Sequence, residues 1–98
     1  MSFDLENDWL PVGSVVSIRF NENKFMIIGY SPINSKTKKP YDYYAVVYPY
    51  GFSSHQETIV FNKEVVKKIY HIGYMTDDYN SYIKMVDDEL KKYKVSNN

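Results

Sequence analysis

Apolar and polar residues alternate along several short segments of the first three quarters of the chain. Val16, Ile18 and Phe20, for example, fall on one side of an extended chain, and the residues between them are polar. A period of two predicts a β-strand with one buried face. The pattern predicts five strands, at residues 14–20, 25–31, 41–48, 57–61 and 67–72.

Short polar or glycine-containing segments separate these strands. The polar residues Asn21 to Lys24 predict a tight turn that joins the first two strands into a hairpin. Gly29 inside the second strand predicts a bulge or the close approach of another backbone. Before the last strand, residues 62–66 predict one helical turn, with Asn62 as its N-cap.

The last quarter of the chain has the period of a helix. Apolar residues recur there at spacings of three and four, which predicts a helix with one apolar stripe over about residues 76–94. Thr76 or Asp77 can cap its N-terminus, and lysines in the last turn suit the helix dipole. The stripe consists of Tyr79, Tyr82, Ile83, Val86, Leu90 and Tyr93.

Five short strands, one helical turn and a C-terminal helix predict a mainly β fold of the α+β class. Two arrangements fit this order: a small five-stranded antiparallel SH3-like barrel, and a curled antiparallel sheet, each with the helix across one face. A chain of 98 residues is long enough for one domain. We expect that domain to span residues 10–95, after an acidic N-terminal arm at residues 1–9.

Composition excludes several classes of site. The chain has no cysteine, which excludes disulfides, cysteine-based zinc sites and cysteine nucleophiles. Twelve Lys and Arg residues balance twelve Asp and Glu residues, so the whole molecule is not attracted to nucleic acid or anionic lipid. No apolar run approaches the ~18 residues of a membrane-spanning helix. The acidic N-terminus lacks the pattern of a signal peptide, and we expect no membrane contact. The absence of cysteine fits a cytoplasm and a Gram-positive exterior equally well.

Candidate catalytic groups are isolated from one another. His55 follows Ser53 and Ser54 in a predicted loop, where it could serve as a general base, although such residues are common in turns. His55 and His71 do not have the spacing of a two-histidine metal site. Neighbouring carboxylates on the predicted helix do not face each other across a cleft. We therefore expect no enzymatic activity, no cofactor and no metal site.

Tyrosine is unusually frequent, with eleven residues in the chain. Several fall in and directly after the predicted strand at residues 41–48, whose two faces are both amphipathic as a result. One face covers the core, and the other needs the helix, the arm or a partner to cover it. Because tyrosine is enriched at interface centres, we predict a protein-binding surface there. The predicted contact residues are Tyr43, Tyr44, Tyr48, Tyr50 and Phe52, with Lys38 and Lys39 at the rim.

Lysines suggest the alternative of a small nucleic-acid-binding SH3-like module. If the loop at residues 35–39 lies near Lys63, Lys67 and Lys68, a basic patch results, and tyrosines beside it could stack on single-stranded nucleic acid. The excess of positive charge is small for phosphate-dominated binding, which makes nucleic acid the less favoured partner. An exposed edge strand could also pair two copies, so we expect a monomer or a homodimer.

The order of short motifs along the chain resembles a known family. The motifs span Leu10–Val16, Met26–Gly29, Tyr41–Tyr43, Tyr48–Gly51, Phe61–Asn62 and Ile72–Tyr74. Their order over residues 10–90 is similar to the Gram-positive family catalogued as domain of unknown function number 4176, and the residue usage suits a low-GC Firmicute. Members tend to be encoded beside type VII secretion and LXG toxin genes. The resemblance therefore implies a cytoplasmic chaperone or targeting adaptor for a secreted LXG-type toxin, with a toxin or secretion-system protein as partner and no assigned catalytic residue.

Overall fold

The computed structural model describes residues 4–5, 8–31, 39–52 and 58–96. All five predicted strands and the C-terminal helix are present. The elements are β1 (Val15–Ile18), β2 (Asn21–Tyr30), β3 (Tyr43–Tyr48), β4 (Thr58–Phe61), a 3-10 turn (Lys63–Val65), β5 (Val66–His71) and α1 (Asp77–Ser96).

The strands form one antiparallel sheet in the order β4-β3-β2-β1-β5. β4 and β5 lie at its two edges, so the sheet is open rather than closed into a barrel. Of the two predicted arrangements, the structure therefore has the antiparallel sheet with a C-terminal helix. The α+β class is confirmed.

The turn between β1 and β2 lies earlier than predicted. Ile18 pairs with Asn21, so Arg19 and Phe20 make the turn, and the polar residues 21–24 belong to β2. Phe20 adopts a positive φ of 69° and its side chain is 99% exposed. The prediction that Phe20 shares the buried face of Ile18 is wrong, because the strand alternation stops where the turn begins.

The predicted irregularity at Gly29 is confirmed. The register between β2 and β3 shifts between Ile27 and Gly29, which is the position of a β-bulge. The extra residue returns Tyr30 to the face that Ile27 occupies. Tyr30 consequently pairs with Tyr43, and the two rings pack with centroids 6.1 Å apart.

One face of the sheet carries the core. Alternate residues of the strands are buried on it: Val16, Ile18, Phe25, Ile27, Tyr43, Ala45, Phe61 and Val66. α1 covers this face through Leu90, with Ile83 and Val86 packed against the same cluster. Trp9 and Leu10 complete the cover and are 8% and 2% exposed. The end of the predicted arm is thus part of the core.

Side-chain hydrogen bonds fix the ends of the helical segments. The predicted turn before β5 is confirmed, but Asn62 does not cap it. The Asn62 amide oxygen instead accepts a bond from the Asp42 N–H at 3.1 Å, and the Asp42 carboxylate accepts one from the Lys63 N–H at 2.8 Å. Thr76 caps α1 by accepting a bond from the Tyr79 N–H at 3.1 Å. No helix in the described part of the chain is both long and apolar enough to cross a membrane.

Candidate functional site

A row of four residues crosses the second face of the sheet, opposite the core. Tyr48 of β3 pairs with Lys24 of β2, Lys24 pairs with Ser17 of β1, and Ser17 pairs with Lys68 of β5. Directly paired residues project from the same side of a sheet, so these side chains share one face. Tyr48 is 49% exposed, and both lysines are exposed.

Tyr70 lies against both lysines of this row. The Lys24 ammonium is 4.8 Å from the centre of the Tyr70 ring, and the Lys68 ammonium is 5.0 Å from it. The ring quadrupole attracts both cations, which favours this arrangement at the surface. Tyr70 remains 47% exposed. Aromatic rings and positive charges therefore alternate on this face.

Further aromatic side chains surround the same end of the sheet. Tyr50 and Phe52 follow the last residue of β3 and are 77% and 58% exposed. The Tyr50 and Gly51 N–H groups donate to the Val47 carbonyl at 3.1 and 3.0 Å, which forms the turn after β3. β2 runs antiparallel to β3, so the turn that holds Phe20 lies at this end too. Tyr70 lies further from this turn along β5, but its ring meets Lys24, the partner of Tyr48. We call the set Phe20, Tyr48, Tyr50, Phe52 and Tyr70 the aromatic end.

Positive charge predominates beside the aromatic end. A cleft of about 620 Å³ lies between the β1–β2 hairpin and β5. Among its lining residues, Arg19, Lys67 and Lys68 carry positive charge, and Glu22 carries the one negative charge. The surface is therefore suited to a partner that presents carboxylates next to apolar groups.

The structure separates the predicted tyrosines into two groups. Tyr48, Tyr50 and Phe52 lie together and are exposed, as a binding surface requires. Tyr44 is half-buried on the same face as Tyr48. Tyr43 is 1% exposed and belongs to the core, so it cannot offer its ring to a partner. The correction follows from strand alternation, since positions 43 and 48 face opposite sides.

The predicted lysine rim is not assembled. Lys38 lies outside the described residues. Lys39 precedes β3, and Tyr48 ends it, so the length of the strand, roughly 17 Å, separates them. Lys63, a member of the predicted basic patch, is only 8% exposed, and its ammonium lies 3.7 Å from the centre of the Trp9 ring.

Three functional candidates were missed by sequence reasoning: Phe20, Lys24 and Tyr70. The sequence pattern predicts a core position for Phe20 and a turn position for Lys24. The register of the β1–β2 hairpin is the information that would have predicted Phe20 in the turn and Lys24 in β2. His71 is exposed on β5 and pairs with Val15, whereas Ser53, Ser54 and His55 lie outside the described residues. In the described part of the chain, no three His, Asp or Glu side chains converge as metal ligands would.

Several other tyrosines have a structural role on the core face. The Leu10 N–H donates to the Tyr43 hydroxyl at 2.9 Å, and the Tyr30 hydroxyl donates to the Leu10 carbonyl at 2.6 Å. The Tyr79 hydroxyl donates to the Trp9 carbonyl at 3.0 Å. Burial raises the pKa of Tyr30, Tyr43 and Tyr79, so the three hydroxyls stay protonated at physiological pH. These bonds fasten residues 9 and 10 to the sheet and to α1.

Trp9 links the arm, the sheet and α1. Its ring meets the rings of Tyr30 and Tyr43 edge-on, with centroids 5.6 Å apart in both cases. Its indole N–H donates to the Asp87 carboxylate at 3.0 Å, and Lys91 forms an ion pair with Asp87 at 2.8 Å. The hydrogen bond from Lys91 lowers the pKa of Asp87.

Fold and surface together define a small open-sheet β domain with a C-terminal helix and an exposed aromatic end. The family model described as domain of unknown function (DUF4176) matches residues 9–81, about three quarters of the chain. The chain therefore belongs to this family, as its motifs predicted. The matched segment contains the five strands and the beginning of α1. No curated protein and no solved structure matches the chain.

Proposed function

We propose that this chain is a non-enzymatic protein-binding module whose aromatic end contacts the partner. One observation carries the proposal: five aromatic side chains, four at one end of the sheet and Tyr70 beside Lys24 on the adjoining face, are 47% to 99% exposed. Contiguous exposed apolar groups mark interaction sites on protein surfaces. Aromatic residues are enriched at interface centres relative to the rest of a protein surface, whereas the lysines beside them suit the polar rim of an interface.

Phe20 supports the same proposal through its backbone. A left-handed conformation at a residue other than glycine costs on the order of 1 kcal/mol or more. The exposed ring recovers none of this cost by packing within the chain, because it is 99% exposed. The two-residue turn between β1 and β2 imposes this conformation, which suits glycine or asparagine better than phenylalanine. A partner that buries the exposed ring gives a reason for phenylalanine at this position.

We further propose that the partner is an LXG-type toxin or a component of type VII secretion. In this proposal the chain acts in the cytoplasm as a chaperone or targeting adaptor before export. Membership of the family supports this proposal, since the resemblance implies that genes of this kind accompany those of the family. The lysines next to Tyr70 are consistent with a partner surface that carries carboxylates.

The experiment is capture of the partner by the tagged full chain in its native host at moderate salt. The wild type is compared with Tyr50→Ala and with Tyr48→Ala/Tyr50→Ala. Tyr74→Ala is the matched control, because Tyr74 is 87% exposed against 77% for Tyr50 but lies outside the aromatic end. We expect a toxin-like or secretion-system protein in near-equal amount with the wild type and the control. The double variant should lose most of it while its melting temperature changes little.

Two outcomes contradict the proposal. If Tyr48→Ala/Tyr50→Ala binds the partner as the wild type does but melts at a much lower temperature, the two rings serve the fold rather than binding. If the captured molecule is nucleic acid that dissociates steeply with added salt, the nucleic-acid-binding alternative is correct instead.

A further inference from the structure

The outward side of α1 carries a stripe of exposed residues that is separate from the aromatic end. Asp78, Met85 and Lys92 follow one another at intervals of seven residues, so they lie almost in line along the helix. Met85 is 56% exposed, and Tyr82, about one turn before it, is 49% exposed. The stripe thus has an apolar centre, an acidic beginning and a basic end.

We propose that a second copy of this chain packs antiparallel along this stripe, with a two-fold axis at Met85. Asp78 and Lys92 are each two turns from Met85, roughly 10.5 Å in opposite directions. The two-fold axis therefore brings Asp78 of each copy level with Lys92 of the other. Opposite charges meet at both ends of a central contact between the two Met85 side chains.

The order of charges selects this arrangement over a parallel one. In a parallel pair, Asp78 would face Asp78 and Lys92 would face Lys92, so like charges would repel at both ends. In the antiparallel pair, Tyr82 lies beside Glu89 of the second copy, and the hydroxyl can donate to the carboxylate. Lys92 contacts Glu89 in its own helix at 3.4 Å, and both side chains are well exposed.

A groove beside the stripe gives the second copy room to bury apolar groups. Tyr82, Met85 and Glu89 line it on the α1 side, and Tyr30 and Pro40 line it on the sheet side. Its volume is about 410 Å³, and most of its lining is apolar. A methionine or tyrosine side chain from the other copy would lose its contact with water there.

The test is sedimentation of the purified full chain over a range of concentrations, at low and at high salt. We expect a concentration-dependent dimer that salt weakens. Met85→Glu and Asp78→Lys should each raise the dissociation constant about tenfold or more, because both act twice in a symmetric interface. The double variant Asp78→Lys/Lys92→Asp should recover most of the affinity, because it exchanges the two charges.

Two control variants separate dimerisation from damage to α1. Asp77→Lys alters the charge at the helix N-terminus as Asp78→Lys does, but residue 77 lies about 100° around the helix from residue 78. Lys84→Glu reverses a charge on another exposed side of α1. Both controls should dimerise as the wild type does, and circular dichroism should show the same helix content in all variants.

Either of two results overturns the proposal: a monomer at every concentration, or a dimer that Met85→Glu and Asp78→Lys leave unchanged. The proposal does not depend on partner binding at the aromatic end, so the two can fail separately.

Discussion

Tyr43→Phe tests how the N-terminal segment is held to the sheet. The substitution keeps a ring that packs against Trp9 and Phe61, with centroids 5.6 and 5.7 Å away. It removes one oxygen atom, which accepts the hydrogen bond from the Leu10 N–H at 2.9 Å. It also removes a longer bond of 3.4 Å that the hydroxyl donates to the Asp8 carbonyl. The perturbation is therefore confined to these two polar contacts, and the packing of the ring is retained.

The expected loss follows from burial. Leu10 and Tyr43 are 2% and 1% exposed, so water cannot replace the missing hydroxyl. A buried N–H without an acceptor costs about 1–3 kcal/mol. We expect the free energy of unfolding to fall by roughly 2 kcal/mol. For a domain of this size, that lowers the melting temperature by about 8–16 °C.

Urea unfolding followed by tryptophan fluorescence measures this loss. Trp9 is the one tryptophan of the chain and stacks edge-on against Tyr43, so it reports directly on the segment in question. Tyr48→Phe is the matched control, because that hydroxyl belongs to a ring that is 49% exposed, and we expect a change below ~0.5 kcal/mol. If Tyr43→Phe unfolds at the same urea concentration as Tyr48→Phe, the Tyr43 hydroxyl does not hold residues 8–10 to the sheet.

Two further variants test the close packing around Val12 and the ion pair on α1. In Gly73→Ala, the new Cβ would lie 2.1 Å from the Val12 carbonyl oxygen, so we expect the free energy of unfolding in urea to fall by more than ~3 kcal/mol. In the control Gly29→Ala, the nearest atom is 3.9 Å from the new Cβ, and the free energy of unfolding should fall far less. The pKa of Asp87 is lowered in the folded state. Its ion pair with Lys91 therefore stabilises the fold fully at pH values above 3.8, the ordinary aspartate pKa. This stabilisation is lost as the pH falls through the lower pKa of the folded state. Asp87→Asn should therefore lower the melting temperature at neutral pH, and the melting temperature of this variant should fall less steeply below pH 3.8 than that of the wild type. An equal effect of Asp88→Asn would contradict the role of the Asp87–Lys91 pair.

Strand periodicity was sufficient to predict the elements, but not the turn between β1 and β2. The polarity of residues 21–24 predicts a turn there. In the structure they continue β2, and residues 22–24 are exposed. Their polarity reflects exposure to water rather than a change of chain direction, and the pattern alone does not distinguish these two causes.

The candidate site was predicted only in part, because it depends on which face of the sheet is covered. Alternation places Tyr43 and Tyr48 on opposite faces, but it does not say which face α1 and Trp9 occupy. Proximity across the sheet is also invisible along the chain. Lys39 is nearer to Tyr48 in sequence than Lys24 is, yet Lys24 is its neighbour, because the register pairs them.

Amide hydrogen exchange of the full chain, alone and with its captured partner, tests the central claim most directly. Binding at the aromatic end predicts slower exchange at residues 20–24, 48–52 and 67–70 when the partner is present, with α1 unchanged. Protection that is confined to α1 or to residues 8–11, or that is absent from all three segments, would contradict the account.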